Sequence, residues 1–242
     1  MPAAKLFSPE SPTPFALSRT KVELFIDCPR CFYLDRRLGI SRPAGFPFNL
    51  NSAVDALLKT EFDAYRKTGE PHPLMVEAGL NAVPHAHPQL DSWRSNFKGV
   101  RTLHADSNLE AFGAIDDLWR DLDTGELMVV DYKSTSKASE VNIDAAWQIS
   151  YKRQMEFYQW LLRQRGHAIS RRGWFVYCNA RRDLPAFDSR LEFTIKLIPY
   201  DGDDGWVEGT LLQIRETLSA DQAPALNRNC EYCMFAAKSV KT

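Results

Sequence analysis

Two short runs in this 242-residue chain carry the residue types that metal-assisted chemistry needs: Gly113-Ala114-Ile115-Asp116 and, further on, Asp131-Tyr132-Lys133. Both lie in stretches that read as strands, 109–122 and 127–134, joined at Asp123-Thr124-Gly125, which is a hairpin signal. With Asp123 and Thr124 as a two-residue loop, Asp116 lies opposite Asp131. The period of two along a strand puts Lys133 on the face of Asp131. Facing carboxylates are costly unless a cation sits between them. The cluster therefore reads either as a divalent-metal site with a lysine beside it or as a surface salt bridge.

The cysteines offer a second kind of site. Four of the five form two C-x2-C pairs, Cys28-Pro29-Arg30-Cys31 and Cys230-Glu231-Tyr232-Cys233. Each pair can grip one metal centre from a single turn, and two such turns supply four ligands. In an intracellular chain this spacing points to metal before disulfide. A shared site would clip the two ends of the chain together, and its spacing admits zinc or a [4Fe–4S] cluster equally. Cys178, within the apolar run 174–178, reads as a core residue.

The elements that must position these residues are mostly helical. Thr20 and Glu23 have the spacing of a capping box, opening a helix that runs to Asp27, and Pro29 suits the first turn of a second helix to Arg37. The first cysteine pair then sits at a helix start. A helix over 52–67 carries the stripe Val54, Leu58, Phe62 and Tyr65, with Asp55 bordering it and Glu61 on it, both expected at the wet rim. The longest helix is expected over 142–165, ended by Gly166, with Trp147, Tyr151, Met155, Tyr158 and Leu162 inward and Gln154 on the same face. Strands 174–178 and 191–198 and a helix over 204–218 complete an α/β order: a mixed sheet flanked by helices. Residues 1–17 read as a flexible arm, 18–236 as a single domain and 237–242 as a tail.

Composition bounds the partners. An apolar content of 44%, a charged content of 25% and a net charge of −1 describe an ordinary globular protein and exclude nucleic-acid binding through bulk positive charge. Locally, Arg163, Arg165, Arg171, Arg172, Arg181 and Arg182 occur without an intervening acid, as either a solvated face or a binding surface. No apolar stretch reaches the roughly 18 residues of a membrane span, and no signal peptide is visible, so a cytoplasmic protein is expected. The five histidines have no metal-binding context beyond His85-x-His87, which reads as surface loop.

Taken together these residues resemble the PD-(D/E)xK nuclease superfamily, in particular its RecB-like branch and the iron–sulfur exonucleases of CRISPR adaptation. Gly113-x-Ile115-Asp116 looks like the second motif, Asp131-Tyr132-Lys133 after Leu127–Val130 like the third, and Gln154 with Tyr158 like the Q-x3-Y motif. The resemblance covers about residues 20 to 235 and implies a restriction-endonuclease-like core whose N- and C-terminal ends are joined by a four-cysteine site. It implies Mg²⁺ or Mn²⁺ on Asp116, Asp131 and the backbone carbonyl of Tyr132. It gives Lys133 the attacking water or the phosphate charge, with Gln154 and Tyr158 as positioning groups. It implies a [4Fe–4S] cluster, or else Zn²⁺, on Cys28, Cys31, Cys230 and Cys233. Two departures stand out: the cysteines split two and two, with Ser239 where a further ligand would fall, and Asp55 replaces the branch's first-motif histidine, keeping an oxygen ligand there. The implied substrate is DNA, single-stranded or at duplex ends, with a helicase or recombination protein as partner in repair. The rival readings are a catalytically weak nuclease-fold module that binds DNA, and a structural metal protein whose hairpin acids make salt bridges.

Overall fold

The structure, a computed structural model, describes residues 5–45 and 49–239. Among them the strands are β1 Phe15–Ser18, β2 Ala82–Pro84, β3 Val100–His104, β4 Leu109–Gly113, β5 Asp117–Asp121, β6 Leu127–Thr135, β7 Arg172–Ala180 and β8 Phe193–Asp201. The helices are α1 Arg19–Asp27, α2 Pro29–Arg37, α3 Asn49–Thr68, α4 Pro73–Glu77, α5 Leu90–Trp93, α6 Ile149–Gln164, α7 Val207–Ser219 and α8 Glu231–Ser239. Expected as one domain, the chain packs as two compact units: Met1–Phe46, Arg101–Gly113 and Gly205–Thr242 form the first, Pro47–Val100 and Ala114–Asp204 the second.

The first unit holds a three-stranded sheet in the order β1-β4-β3, with β1 parallel to β4. Within the expected arm, Phe7 and Phe15 are buried and meet edge to face at 5.4 Å, so residues 5–17 are anchored by aromatic burial, while residues 1–4 lie outside the described part. Helix α1 follows β1 directly, and its N-cap is Ser18 with no side-chain cap bond. Thr20 is thereby drawn inside the first turn, and the expected capping box does not form. Helix α2 starts at Pro29 as read, with Cys28 as N-cap accepting the Cys31 N–H at 3.4 Å. Helix α8 runs on through the expected tail to Ser239, and residues 240–242 lie outside the described part.

The second unit is built on a five-stranded sheet in the order β2-β5-β6-β7-β8, in which β6 and β7 are parallel and the other neighbours antiparallel. Leu127 to Tyr132 of β6 are all buried, as expected of a central strand covered on both faces. Against one face α3 packs Leu58 and Phe62 on Met128, Val130 and Tyr132. Helix α6, buried throughout Met155–Leu162, contacts β6 as well, and its Gln154 and Tyr151 meet Lys133, which belongs to the alternate set of β6 side chains.

Three sequence expectations are corrected here. The single strand 109–122 divides, because β4 pairs with β1 in one unit and β5 with β6 in the other, and residues 114–116 belong to neither strand. The hairpin loop is wider than two residues: the Asp121 N–H reaches the Glu126 carbonyl at 3.0 Å, and Gly125, at φ 76°, donates to the Asp121 carbonyl at 2.9 Å. That leaves Leu122 to Gly125 as the loop. Since it is centred on Asp123 and Thr124, the register is the expected one, with Asp117 opposite Val130 and Arg120 opposite Leu127. Helix α6 begins at Ile149 rather than 142, after a 3₁₀ turn at Ala146–Gln148, and at 16 residues it is shorter than the 20-residue α3. The cause is Gln148, whose buried amide donates to the Asn142 carbonyl at 2.7 Å and accepts the Ala145 N–H at 2.9 Å, holding 142–145 out of the helix. Trp147 consequently leaves the inward stripe and is 55% exposed.

Candidate active site and metal centre

Every candidate catalytic residue lies in the second unit. The register of β5 and β6 opposes Asp116 to Asp131, but the chain leaves the strand at Asp116, one residue before β5 begins. In a continued ladder Tyr132 would bond Ile115. Instead the Ile115 N–H turns to the Trp93 carbonyl at 3.1 Å, and Asp116 Oδ2 accepts the Tyr132 N–H at 2.9 Å. Asp116 thus caps β6 with a carboxylate where a carbonyl would otherwise stand. Its other oxygen, Oδ1, lies 3.5 Å from the Lys59 ammonium.

Asp131 is fully buried and paired with the Lys133 ammonium. Lys133 is further held by Gln154, whose Oε1 accepts from it at 3.4 Å, and by the Tyr151 ring, whose centroid is 4.5 Å from Nζ. Gln154 in turn donates to the Tyr158 hydroxyl at 3.2 Å. The structure therefore joins Asp131, Lys133, Gln154 and Tyr158 in one chain of contacts. Asp55 comes near the site through Lys59, which it binds at 2.8 Å across one helical turn. Burial raises the Asp55 carboxyl above its usual range, Lys59 opposes this, and the charge of Asp116 adds to it. Glu61 is exposed at the rim as expected, bonded to His72 at 2.9 Å.

Beneath these residues lies a network that the sequence reading missed. Asp117 is fully buried; its Oδ1 takes the Leu118 N–H at 2.7 Å, Arg94 at 3.0 Å and Arg66, and its Oδ2 takes the Tyr132 hydroxyl at 2.8 Å. Arg94 also donates to the Asp116 carbonyl at 2.9 Å and to both oxygens of Asp63 at 2.9 Å. Burial would lower the Arg94 pKa, but Asp117 and Asp63 raise it instead. Burial and the neighbouring Asp117 push the Tyr132 phenol well above its usual value, so it stays a donor. The Asp63-x2-Arg66 spacing was a readable sign of part of this network, as was Lys59 four residues beyond Asp55. Arg94, contributed by a distant segment, had no local sign.

Three of the six arginines in the run pair with acids outside it: Arg163 with Asp204, Arg172 with Asp201 at 2.8 Å, and Arg181 with Asp183 at 3.0 Å and Glu192 at 3.4 Å. His87 lies in a loop as expected, where it stacks on Trp93 at 4.1 Å and meets His167 edge to face at 5.4 Å.

In the first unit the four cysteines meet as expected. Cys28 Sγ is 3.6 Å from Cys233 Sγ, and Cys31 Sγ is 3.6 Å from Cys230 Sγ and 3.8 Å from Cys233 Sγ. All four sulfurs lie within 4.8 Å of one another, all four residues are buried, and among the described residues this is the group of three or more His, Cys, Asp or Glu side chains placed to hold a metal ion. Four sulfurs on one tetrahedral ion, at about 2.3 Å each, stand about 3.8 Å apart. Arg42, missed from sequence, donates to Cys230 Sγ at 3.2 Å, pairs with Asp27 at 2.6 Å and lies over the Tyr232 ring at 4.5 Å. The halves of the quartet are tied by Arg30 to the Pro224 carbonyl at 2.8 Å and Tyr33 to the Ala220 carbonyl at 3.0 Å. Cys178 is a buried core residue whose thiol burial pushes up to about 11.

A family model described as the PD-(D/E)XK nuclease superfamily matches residues 47–237 of this chain. No curated protein sequence matches it. A solved structure titled "Crystal structure of SSO0001" aligns over 94% of this chain and 87% of its own length, at 16% identity and a TM-score of 0.41, a likeness too distant to bear on function. Among the described residues no helix is long and apolar enough to cross a membrane.

Proposed function

The chain belongs to the PD-(D/E)XK nuclease superfamily, and from that membership we propose that it is a DNA nuclease using Mg²⁺ or Mn²⁺ held by Asp116, Asp131 and the Tyr132 carbonyl. The observation that carries this reading is the unbroken chain Asp131, Lys133, Gln154, Tyr158 beside an Asp116 fastened to the main chain of β6. The donor set is all oxygen, as these hard cations require. A strand residue's N–H and C=O point to the same side, so the Tyr132 carbonyl faces the side on which Asp116 binds its N–H.

When bound, such an ion polarises a phosphodiester oxygen and lowers the pKa of an attacking water. Lys133, held on three sides, presents a fixed ammonium to the charge that develops on the phosphate. Gln154 and Tyr158 keep that ammonium in place. Lys59 has a different task. Asp116 Oδ2 is engaged by the Tyr132 N–H, so Oδ1 is the oxygen left for a cation, and Lys59 faces it. Lys59 thus stands at the oxygen that would hold a divalent ion, and Asp55 also binds Lys59.

Cleavage of single-stranded and duplex DNA with Mg²⁺ or Mn²⁺ tests the reading. Lys133→Ala and Asp116→Asn should each lower the rate by about 10²-fold or more, and equal cleavage by all three proteins would overturn it. Binding without cleavage would assign the chain to the DNA-binding module instead. The repair context, a helicase or recombination partner and a cytoplasmic location follow from the family resemblance as parts of the same proposal.

For the cysteine quartet we infer one zinc ion. A [4Fe–4S] cluster hangs each thiolate from a different iron and so spreads the sulfurs wider than one ion does, whereas three spacings of 3.6 to 3.8 Å, with all four sulfurs within 4.8 Å of one another, suit a single ion. Protein purified without oxygen, so that no cluster is lost, should be colourless and hold about one zinc per chain. Iron with inorganic sulfide would sink the assignment.

A further inference from the structure

The error over Trp147 exposes a feature that the nuclease reading leaves unused. Four side chains follow one another from the end of β6 to the start of α6. Lys137 Nζ lies 5.6 Å from the centroid of the Trp147 ring. Trp147 meets Tyr151 edge to face at 5.3 Å. Tyr151 carries Lys133 Nζ at 4.5 Å from its ring centroid. Indole and phenol thus stand between two cations, the second being the ammonium assigned to the phosphate.

Each member is held. The Lys137 main chain is clamped from both sides by Asn179, whose Oδ1 accepts its N–H at 2.7 Å and whose Nδ2 donates to its carbonyl at 3.0 Å. The Trp147 turn is fixed by the buried Gln148, so the exposed indole stands on an ordered support. A tryptophan 55% exposed on a rigid turn gains nothing for the core from its large apolar ring. Its cost in solvent is offset when something flat covers it.

We propose that Trp147 is a base-stacking platform for single-stranded DNA, with Lys137 and Lys133 as the flanking phosphate contacts. The inference rests on the nuclease reading and names its substrate class. A single strand offers flat unstacked bases beside anionic phosphates, and the side chains set an exposed indole and a phenol between two ammonium groups. Such stacking tolerates any base, because every base has a π-face. Duplex interior bases are already stacked on one another and offer no free face, so the platform selects single strands or frayed ends.

The test is fluorescence anisotropy with a labelled oligothymidylate and with a closed hairpin duplex lacking a tail, in EDTA so that nothing is cut. Trp147→Ala should weaken oligothymidylate binding about tenfold or more and leave the duplex affinity unchanged. Trp147→Phe, which keeps a ring, should retain most of the affinity, and Lys137→Ala should flatten the dependence of log K on log salt by about one. The proposal is overturned if Trp147→Ala binds the single strand as wild type does, if it loses both probes alike, or if Trp147→Phe is as weak as Trp147→Ala. Wild-type protein that binds neither probe sinks the DNA reading itself, a different failure from an unaffected Trp147→Ala.

Discussion

Four buried thiols in the first unit lie within 4.8 Å of one another, while three carboxylates of the candidate site in the second unit are each met by an ammonium, Asp116 and Asp55 by Lys59 and Asp131 by Lys133. The quartet has little but sulfur around its centre, with Arg42 as a cation at its edge. Its geometry is useful only with an ion inside, and an ion there adds directly to the folding free energy. The acids work by the opposite rule. On the nuclease reading proposed above, the site would have to be stable with and without its ion, and the lysines supply counter-charge to the carboxylates in its absence. Closed sulfur and lysine-balanced oxygen are two answers to the same problem of concentrated negative charge.

The comparison breaks most visibly if the two sites respond alike to loss of a ligand. Cys233→Ser should cost about 3 kcal/mol or more in urea unfolding, since three thiolates cannot close a structural zinc site. Wild-type protein dialysed free of Mg²⁺ should unfold at the same urea concentration as protein saturated with it to within about 1 kcal/mol, apart from the mass-action gain of binding. Equal losses in the two experiments would mean that the acid site is also structural.

If the second unit does not draw its stability from an ion, something else must hold Asp116, and Arg94 does so through its backbone carbonyl. Arg94→Met should cost about 3 kcal/mol, because it strips a partner from the buried Asp117 and from Asp63. The effect has a pH signature. Burial pushes Asp63 up, but Arg94 and Arg66 hold it below the ordinary carboxylate range. Its contribution is therefore present above the unfolded pKa and lost as pH falls through the lowered folded value. In the variant the folded value lies closer to the unfolded one, so that acid loss should be smaller and complete at a higher pH, and urea melts across the acid range would show it.

A smaller effect sharpens the role of Lys59. Lys59→Met should tighten Mn²⁺ binding by about tenfold in calorimetry, the worth of one part-exposed charge contact. Asp55→Asn should then be silent in the Lys59→Met background if Asp55 acts only by holding Lys59, and should weaken binding there if Asp55 is itself a ligand.

What could be read in the sequence divides along the same physical line. The quartet was legible because C-x2-C is a local geometry, repeated at a helix start by Pro29 in one case and just before and within α8 in the other. The register of Asp116 and Asp131 was legible because loops of two and four residues centred on the same point pair the strands identically. Non-local choices were not. The run from Leu109 to Leu122 is β-prone throughout, and nothing within it announces that its halves take different partners. Asp117 sits beside a more conspicuous aspartate, and its partner Arg94 is 23 residues away. Trp147 fits the helical period, and what removed it from the helix face was a side-chain bond from Gln148 to the backbone, a competition that periodicity does not register.

The smallest predicted effect probes the far end of the lysine chain. Tyr158 accepts a bond from Gln154 Nε2 at 3.2 Å, and Gln154 accepts from Lys133 at 3.4 Å. Tyr158→Phe keeps the buried ring and removes the hydroxyl, taking away the bond that Gln154 Nε2 makes to it. A neutral bond of this kind is worth about 1 kcal/mol, so kcat should fall about fivefold, with KM unchanged because substrate contacts are intact. Gln154→Ala, which removes the direct contact to Lys133, should cost more. A Tyr158→Phe enzyme slower than Gln154→Ala would mean that the hydroxyl meets the substrate itself, and Tyr158 would then be a catalytic group rather than a support.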